Sequence, residues 1–253
     1  MHLIRNVRQK RAGASRIAEF LVVNGLPNMN DRAAFRTVLV DRLEAHEAVR
    51  APAERLGTRF SASICGPKRS IVYTECDASN LVNFTTEMNS FRAAFRPLFV
   101  IVIGSATALT GNPICSSLLT CHLHDSFGLV TEYNQNEQSN FVRSFAAGPA
   151  NREFGTNSAL FHQGDVICSS IGQHSTQFAT PCNLDLYTSQ EFDAVAQYLR
   201  ASFAGRGGNR TNPMLTCIAS LTDLPASSSS DRFESLARIV TRLMAYAVEK
   251  RVA

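Results

Sequence analysis

Apolar residues along the 253-residue chain follow two periods. Spacings of three and four predict helices, whereas alternation and short unbroken apolar runs predict strands. Two stretches combine these in one order. The first passes from a strand at 70–74, through a helix at 79–95, into an apolar strand at 98–103. The second passes from 184–188, through a helix at 190–203, into 214–219. Each opening strand ends in Tyr-Thr. The helices carry the stripes Leu81, Phe84, Met88, Phe91, Phe95 and Phe192, Val195, Ala196, Leu199, Phe203, and Thr188-x-x-Glu191 has the form of a capping box. Such successions fit right-handed crossovers between parallel strands.

The flanks read as helical. Ile4, Val7, Ala14, Ile17, Ala18 and Leu21 fall at helical spacing until Gly25 and Pro27. A second helix begins near Asn30 or Asp31, with Phe35, Val38, Leu39 and Leu43 on one face. The first 57 residues therefore predict a helical hairpin. A last helix, from Asp231 to about Lys250, aligns Phe233, Leu236, Val240, Leu243, Met244 and Ala247, a face suited to a sheet or a neighbouring subunit. Short strands are expected at 118–124, 128–133 and 166–171, separated by polar stretches at 134–140 and 148–155 that read as loops. The expected architecture is α/β or α+β: a mixed sheet with two strand–helix–strand units (70–104 and 184–221), an N-terminal helical hairpin and a C-terminal helix. In domain terms, residues 1–57 form a basic hairpin or arm and 58–253 a single α/β domain.

Charge changes this picture only at the N-terminus. Residues 1–60 carry a net charge of +5 and the rest −1, while arginine outnumbers lysine 22 to 3. A basic segment on a near-neutral body suits nucleic acid, an anionic membrane surface or an acidic partner. The candidate nucleic-acid contacts are Arg5, Arg8, Lys10, Arg11 and Arg16, with Arg206 and Arg210 from the glycine-rich loop 205–210. Their contacts would be non-specific and to phosphate, because aromatic residues that stack bases do not interleave with them. Seven cysteines, an odd number in a chain of this length, place it in a reducing intracellular compartment or an enclosed particle such as a virion. The basic, amphipathic start resembles a mitochondrial presequence, which makes the matrix the lesser alternative. No apolar run reaches the 18–20 residues of a membrane span.

Candidate chemistry is sparse. Cys115, Cys121, His122, His124 and Asp125 lie close in sequence, but without a standard zinc spacing. On a strand, His122 and His124 share a face and Cys121 takes the other. A nucleophile could be Cys115 or Cys121 with His162 or His174 as base and Asp165 as orienter, yet no catalytic signature joins them. Gly104-Ser105 follows a buried strand, where α/β folds place ligands, but it lacks the dinucleotide glycines and the Walker lysine. No catalytic residue, metal ligand or cofactor is assigned. Low charge, abundant Ser, Thr and Asn, long polar loops and docking helices favour a non-enzymatic structural subunit of a larger assembly. That subunit would be capsid-shell-like or part of a multiprotein complex, with copies of itself or other subunits as partners and RNA or DNA held through phosphate. The alternative is an α/β enzyme of hydrolase or transferase type, with a small-ligand site around Gly104-Ser105.

Overall fold

The computed structural model describes residues 18–50, 56–110, 114–125, 128–130, 136–148, 160–168, 185–203, 213–223 and 229–250. In chain order the elements are β1 (Phe20–Asn24), α1 (Met29–Arg42), β2 (Glu47–Arg50), β3 (Thr58–Ser63), β4 (Lys68–Glu75), α2 (Leu81–Phe95), β5 (Phe99–Ala108), β6 (Ser117–Asp125), β7 (Gly128–Leu129), α3 (Asn136–Ala147), β8 (His162–Ile167), β9 (Asp185–Thr188), α4 (Glu191–Phe203), β10 (Met214–Leu221) and α5 (Ser229–Glu249). The fold is α/β with a mixed ten-stranded sheet. Among the described residues no helix is long and apolar enough to cross a membrane.

The sheet has two parts that share β5. On one side β5 pairs in parallel with β1, and β1 with β4; antiparallel β3 and β2 finish that edge. On the other side the sheet closes on itself: β5 pairs with β10, β10 with β6, β6 with β8, β8 with β9, and β9 returns to β5. The result is a five-stranded barrel attached to an open sheet.

Both faces are apolar. On one, α2 and α4 pack over Val72, Val100, Val102, Leu215 and Cys217. On the other, α1, α3 and α5 pack over Phe20, Phe99, Ile101, Ile103 and Ile218. Within the ring the first face turns inward: Cys168 after β8 and Cys217 on β10, two strands apart, belong to one buried cluster. The α2 stripe is buried as the periodicity requires, with Phe84 edge-on to Tyr198 of α4 at 5.7 Å between centroids. Asn80 caps α2 by accepting the Asn83 N–H at 3.1 Å, and Arg96 ends it in the left-handed conformation. The predicted face of α5 is fully buried, and α5 packs on α1 and the sheet.

Three expectations need correction. Most of the first helix of the expected N-terminal hairpin, up to residue 17, lies outside the described residues, but residues 20–24 are a strand inside the open sheet, while the second expected helix is present as α1. Phe-Leu-Val-Val is a short apolar run compatible with either period, and pairing on both edges decides for the strand. The polar stretch 134–140 was expected as a loop, but from Asn136 it is the first turn of α3, held by buried Phe141, Val142 and Phe145. The second strand–helix–strand unit has its elements in place, yet it joins antiparallel strands. β9 runs against β5 and β10 runs with it. The first unit does join parallel strands, with β1 inserted between them.

Candidate active site at the split edge of β5

β1 and β9 pair with the same edge of β5 but at different heights. β1 ends with Asn24 opposite Ile103, where the Gly25 N–H donates to the Ile103 carbonyl at 2.8 Å. β9 begins its pairing at Thr107. Between them, among the described residues, Gly104, Ser105 and Ala106 have no strand beside them on that edge, although β10 covers the other. The notch lies where the chain parts in opposite directions from the carboxyl ends of parallel strands, the position at which open α/β sheets bind ligands. Gly104 and Ser105 were expected in a loop after a strand; they lie inside a strand that continues to Ala108, and it is the neighbouring strand β1 that stops.

The N-terminus of α4 forms one wall. Gly104 permits this: a Cβ there would sit 2.7 Å from the Phe192 ring and 3.3 Å from the Glu191 Cβ. Glu191 is buried, and its carboxylate accepts from the Ser189 hydroxyl at 3.1 Å. The Ser189 N–H in turn donates to the Ile167 carbonyl at 3.2 Å, fixing this turn against β8. A carboxylate in a first helical turn is favoured by the helix dipole.

The second carboxylate closes the far end. Asp223, exposed, follows β10 and accepts the Ala108 N–H at 2.6 Å. The Thr222 hydroxyl donates to its other oxygen at 2.9 Å and lies 3.0 Å from the Thr107 hydroxyl. Glu191 and Asp223 thus mark the two ends of the stretch Gly104–Ala108, about 13 Å apart along the strand at about 3.3 Å per residue.

The β1 side of the notch is tied down by a buried network. The Asn24 amide donates to the Tyr73 hydroxyl at 2.7 Å and to the Arg32 carbonyl at 3.2 Å, and Asn24 Oδ1 accepts the Leu26 N–H. Tyr73 donates to Glu75 at 3.1 Å, and Glu75 pairs with Arg36. Burial raises the Tyr73 phenol far above its ordinary range, so it stays a neutral donor. Next to this, burial raises both the Cys76 thiol and the Glu87 carboxyl, which are hydrogen-bonded to each other.

The residues singled out from sequence are dispersed. Arg5, Arg8, Lys10, Arg11, Arg16, Arg206, Arg210 and His174 lie outside the described residues. His162 accepts the N–H groups of Ile114 and Cys115 at 2.8 and 3.3 Å, and burial lowers its pKa; it does not meet Asp165 as a base to be oriented. Asp165, fully buried on β8, is instead shared by His122 Nδ1 at 2.6 Å and His124 Nε2 at 3.3 Å on the outer face of the barrel. The two histidines do share a face. Cys121 does not take the opposite one, because a bulge between Thr120 and His122 brings its thiol 3.8 Å from Gln163, two residues from Asp165 on the same strand. Asp125 is engaged elsewhere, clasped by Arg200 through two bonds of 2.5 and 2.9 Å. Among the described residues no three His, Cys, Asp or Glu side chains are arranged to hold a metal ion. Glu191 and Asp223 escaped the sequence reading, Glu191 because it also satisfies a capping box. Asp223 carried a usable signal: a carboxylate directly after an apolar strand.

No protein-family model and no curated protein matches this sequence. Solved structures do. A futalosine hydrolase mutant of Helicobacter pylori superposes with a TM-score of 0.56 at 10% identity, over 90% of this chain and 97% of its own. The purine nucleoside phosphorylase of Toxoplasma gondii, solved with immucillin-H, gives 0.56 at 11% identity, over 93% and 94%. The 5'-methylthioadenosine/S-adenosylhomocysteine nucleosidase of S. pneumoniae, solved with a transition-state inhibitor, gives 0.55 at 12%, over 89% and 98%. The chain shares their fold. The expectation of a non-enzymatic capsid, virion or RNA-binding subunit is corrected by this finding: the whole-length neighbours are nucleoside hydrolases and phosphorylases. Theirs is an α/β fold of the class expected for the enzyme alternative.

Proposed function

We propose that the protein is an enzyme that cleaves the N-glycosidic bond of a nucleoside in the notch along β5. The observation that carries this reading is the pair of carboxylates, Glu191 and Asp223, placed by different elements at the two ends of one strand segment. The fold of the neighbours supports it.

Breaking the C1'–N bond sends its electron pair to the base and leaves positive charge on the sugar ring, so the transition state resembles an oxocarbenium ion. The base needs a proton and the ring needs negative charge near it. Asp223, at the open end and already bonded to Thr222 and Ala108, delivers the proton to the leaving base. Glu191, buried and oriented by Ser189, accepts hydrogen bonds from sugar hydroxyls and stabilises the ring's charge. An oxygen of water or inorganic phosphate then bonds to C1', water losing a proton as it does so.

The test is base release by the full chain from a panel of purine and pyrimidine ribonucleosides, with and without inorganic phosphate, followed by chromatography. Free base is expected from at least one. Release only with phosphate identifies phosphorolysis; release without it identifies hydrolysis. No release from any nucleoside, together with no calorimetric binding of adenine, overturns the proposal.

A further inference from the structure

The barrel interior holds a polar group left without a partner among the described residues. Tyr187, on β9, has no exposed surface, and its hydroxyl makes no hydrogen bond among the described residues. A buried tyrosine hydroxyl normally finds one, and leaving it unmade is destabilising. The ring cannot turn away to find it. A Cβ at Gly164 on the adjoining β8 would collide with the Tyr187 ring and lie 2.7 Å from the Asp185 carbonyl, so the glycine is what admits the ring.

The place of this hydroxyl ties it to the site. Tyr187 is the register partner of Ala108, and it is the Ala108 N–H that Asp223 holds. Burial and then the nearby Asp185, Cys115 and Asp223 push the phenol up to about 12. The hydroxyl therefore keeps its proton across the physiological range and lies within the electrostatic reach of Asp223. An orphaned donor beside the proton-delivering carboxyl is the arrangement expected of a group completed by a ligand.

We propose that the Tyr187 hydroxyl determines specificity for the nucleobase, donating a hydrogen bond to an acceptor atom of the heterocycle that leaves. This rests on reading the β5 notch as a nucleoside site. Tyr187 touches the base and does not supply the transferred proton, so it acts on binding and on the choice of base.

Tyr187→Phe removes one oxygen and keeps the ring. Because it deletes an unsatisfied group, the unliganded variant is expected to melt at the wild-type temperature or above it. With the nucleoside that the wild type cleaves best, KM should rise up to about tenfold, the worth of one hydrogen bond, with kcat changed much less. Deaza analogues, in which one ring nitrogen becomes C–H, locate the contact. One of them should lose the same factor with wild type and bind Tyr187→Phe no worse than the parent nucleoside does. An unchanged KM in the variant, or a rise equal for the parent and every deaza analogue, overturns the inference while leaving the nucleoside reading intact. A wild type that neither cleaves a nucleoside nor binds a base overturns both.

Discussion

β1 and β8 are both short, both interior to the sheet and both paired in parallel on each edge, yet they bury opposite kinds of side chain. β1 is Phe-Leu-Val-Val-Asn, fully buried, with its one polar residue at the very end. β8 places Gly164 and Asp165 in the middle of its run, and Asp165 has no exposed surface. The first strand lies between two helical layers and is held by apolar burial. The second lies in a barrel, where a carboxylate is tolerable because two imidazoles supply its hydrogen bonds. The open half of the molecule is stabilised by area and the barrel in part by satisfied polarity. The candidate site sits on β5, the strand common to both.

That contrast can be broken at the seam first. Asp223→Asn, which keeps the Ala108 bond but has no proton to give, should lower kcat for base release by about 10²–10⁴-fold, read by single-turnover chromatography. A wild-type rate would remove Asp223 from the chemistry. Within the two halves, Phe20→Ala on β1 and Asp165→Ala on β8 should each cost about 3–5 kcal/mol in urea unfolding, one by cavity and one by removing the buried carboxylate that two histidines share. What separates them is repair: Phe20→Leu should regain most of the loss, whereas Asp165→Leu should not. Equal repair at both positions would show that the barrel is held like the open half. Gly104→Ala should cost about 1–3 kcal/mol by overpacking against Phe192, and it should also weaken activity by displacing Glu191. Restored activity in Gly104→Ala combined with Phe192→Leu would confirm the steric cause. The smallest effect belongs to Glu87, whose carboxyl is raised by burial. Its contribution to stability is present in acid and is lost as pH rises through the raised pKa. Glu87→Gln should therefore gain melting temperature relative to wild type at pH 7 and little at pH 4. A gain equal at both values would mean the carboxyl does not titrate with folding.

Much of the frame is legible from periodicity because local spacing decides it. The stripes of α2, α4 and α5 repeat over three to five turns, long enough that only a helix accommodates them. Phe20–Val23 is too short for that, and its true state depends on Ile71 and Phe99, far away in the chain. The direction of β9 is equally non-local: nothing between Asp185 and Thr188 encodes that it runs against β5. The site suffers most. Its two carboxylates lie 32 residues apart, each with an ordinary local reading, and only the packing of α4 over Gly104 and the pairing of β10 with β5 bring them to the two ends of one strand segment. Gly104-Ser105 was the part within reach, because it follows an apolar run at the carboxyl end of a strand, where α/β folds place ligands.

The sharing of β5 also bears on how the chain is made. Phe99–Ile103 is uncharged, wholly apolar and largely β-branched, the composition that aggregates when its edges lie open. One edge is covered by β1, which is made before β5. The other waits for Met214–Leu221, made about a hundred residues after β5. During that interval the nascent chain presents an adhesive strand, and its safe delivery becomes a task for cellular chaperones rather than for the sequence itself.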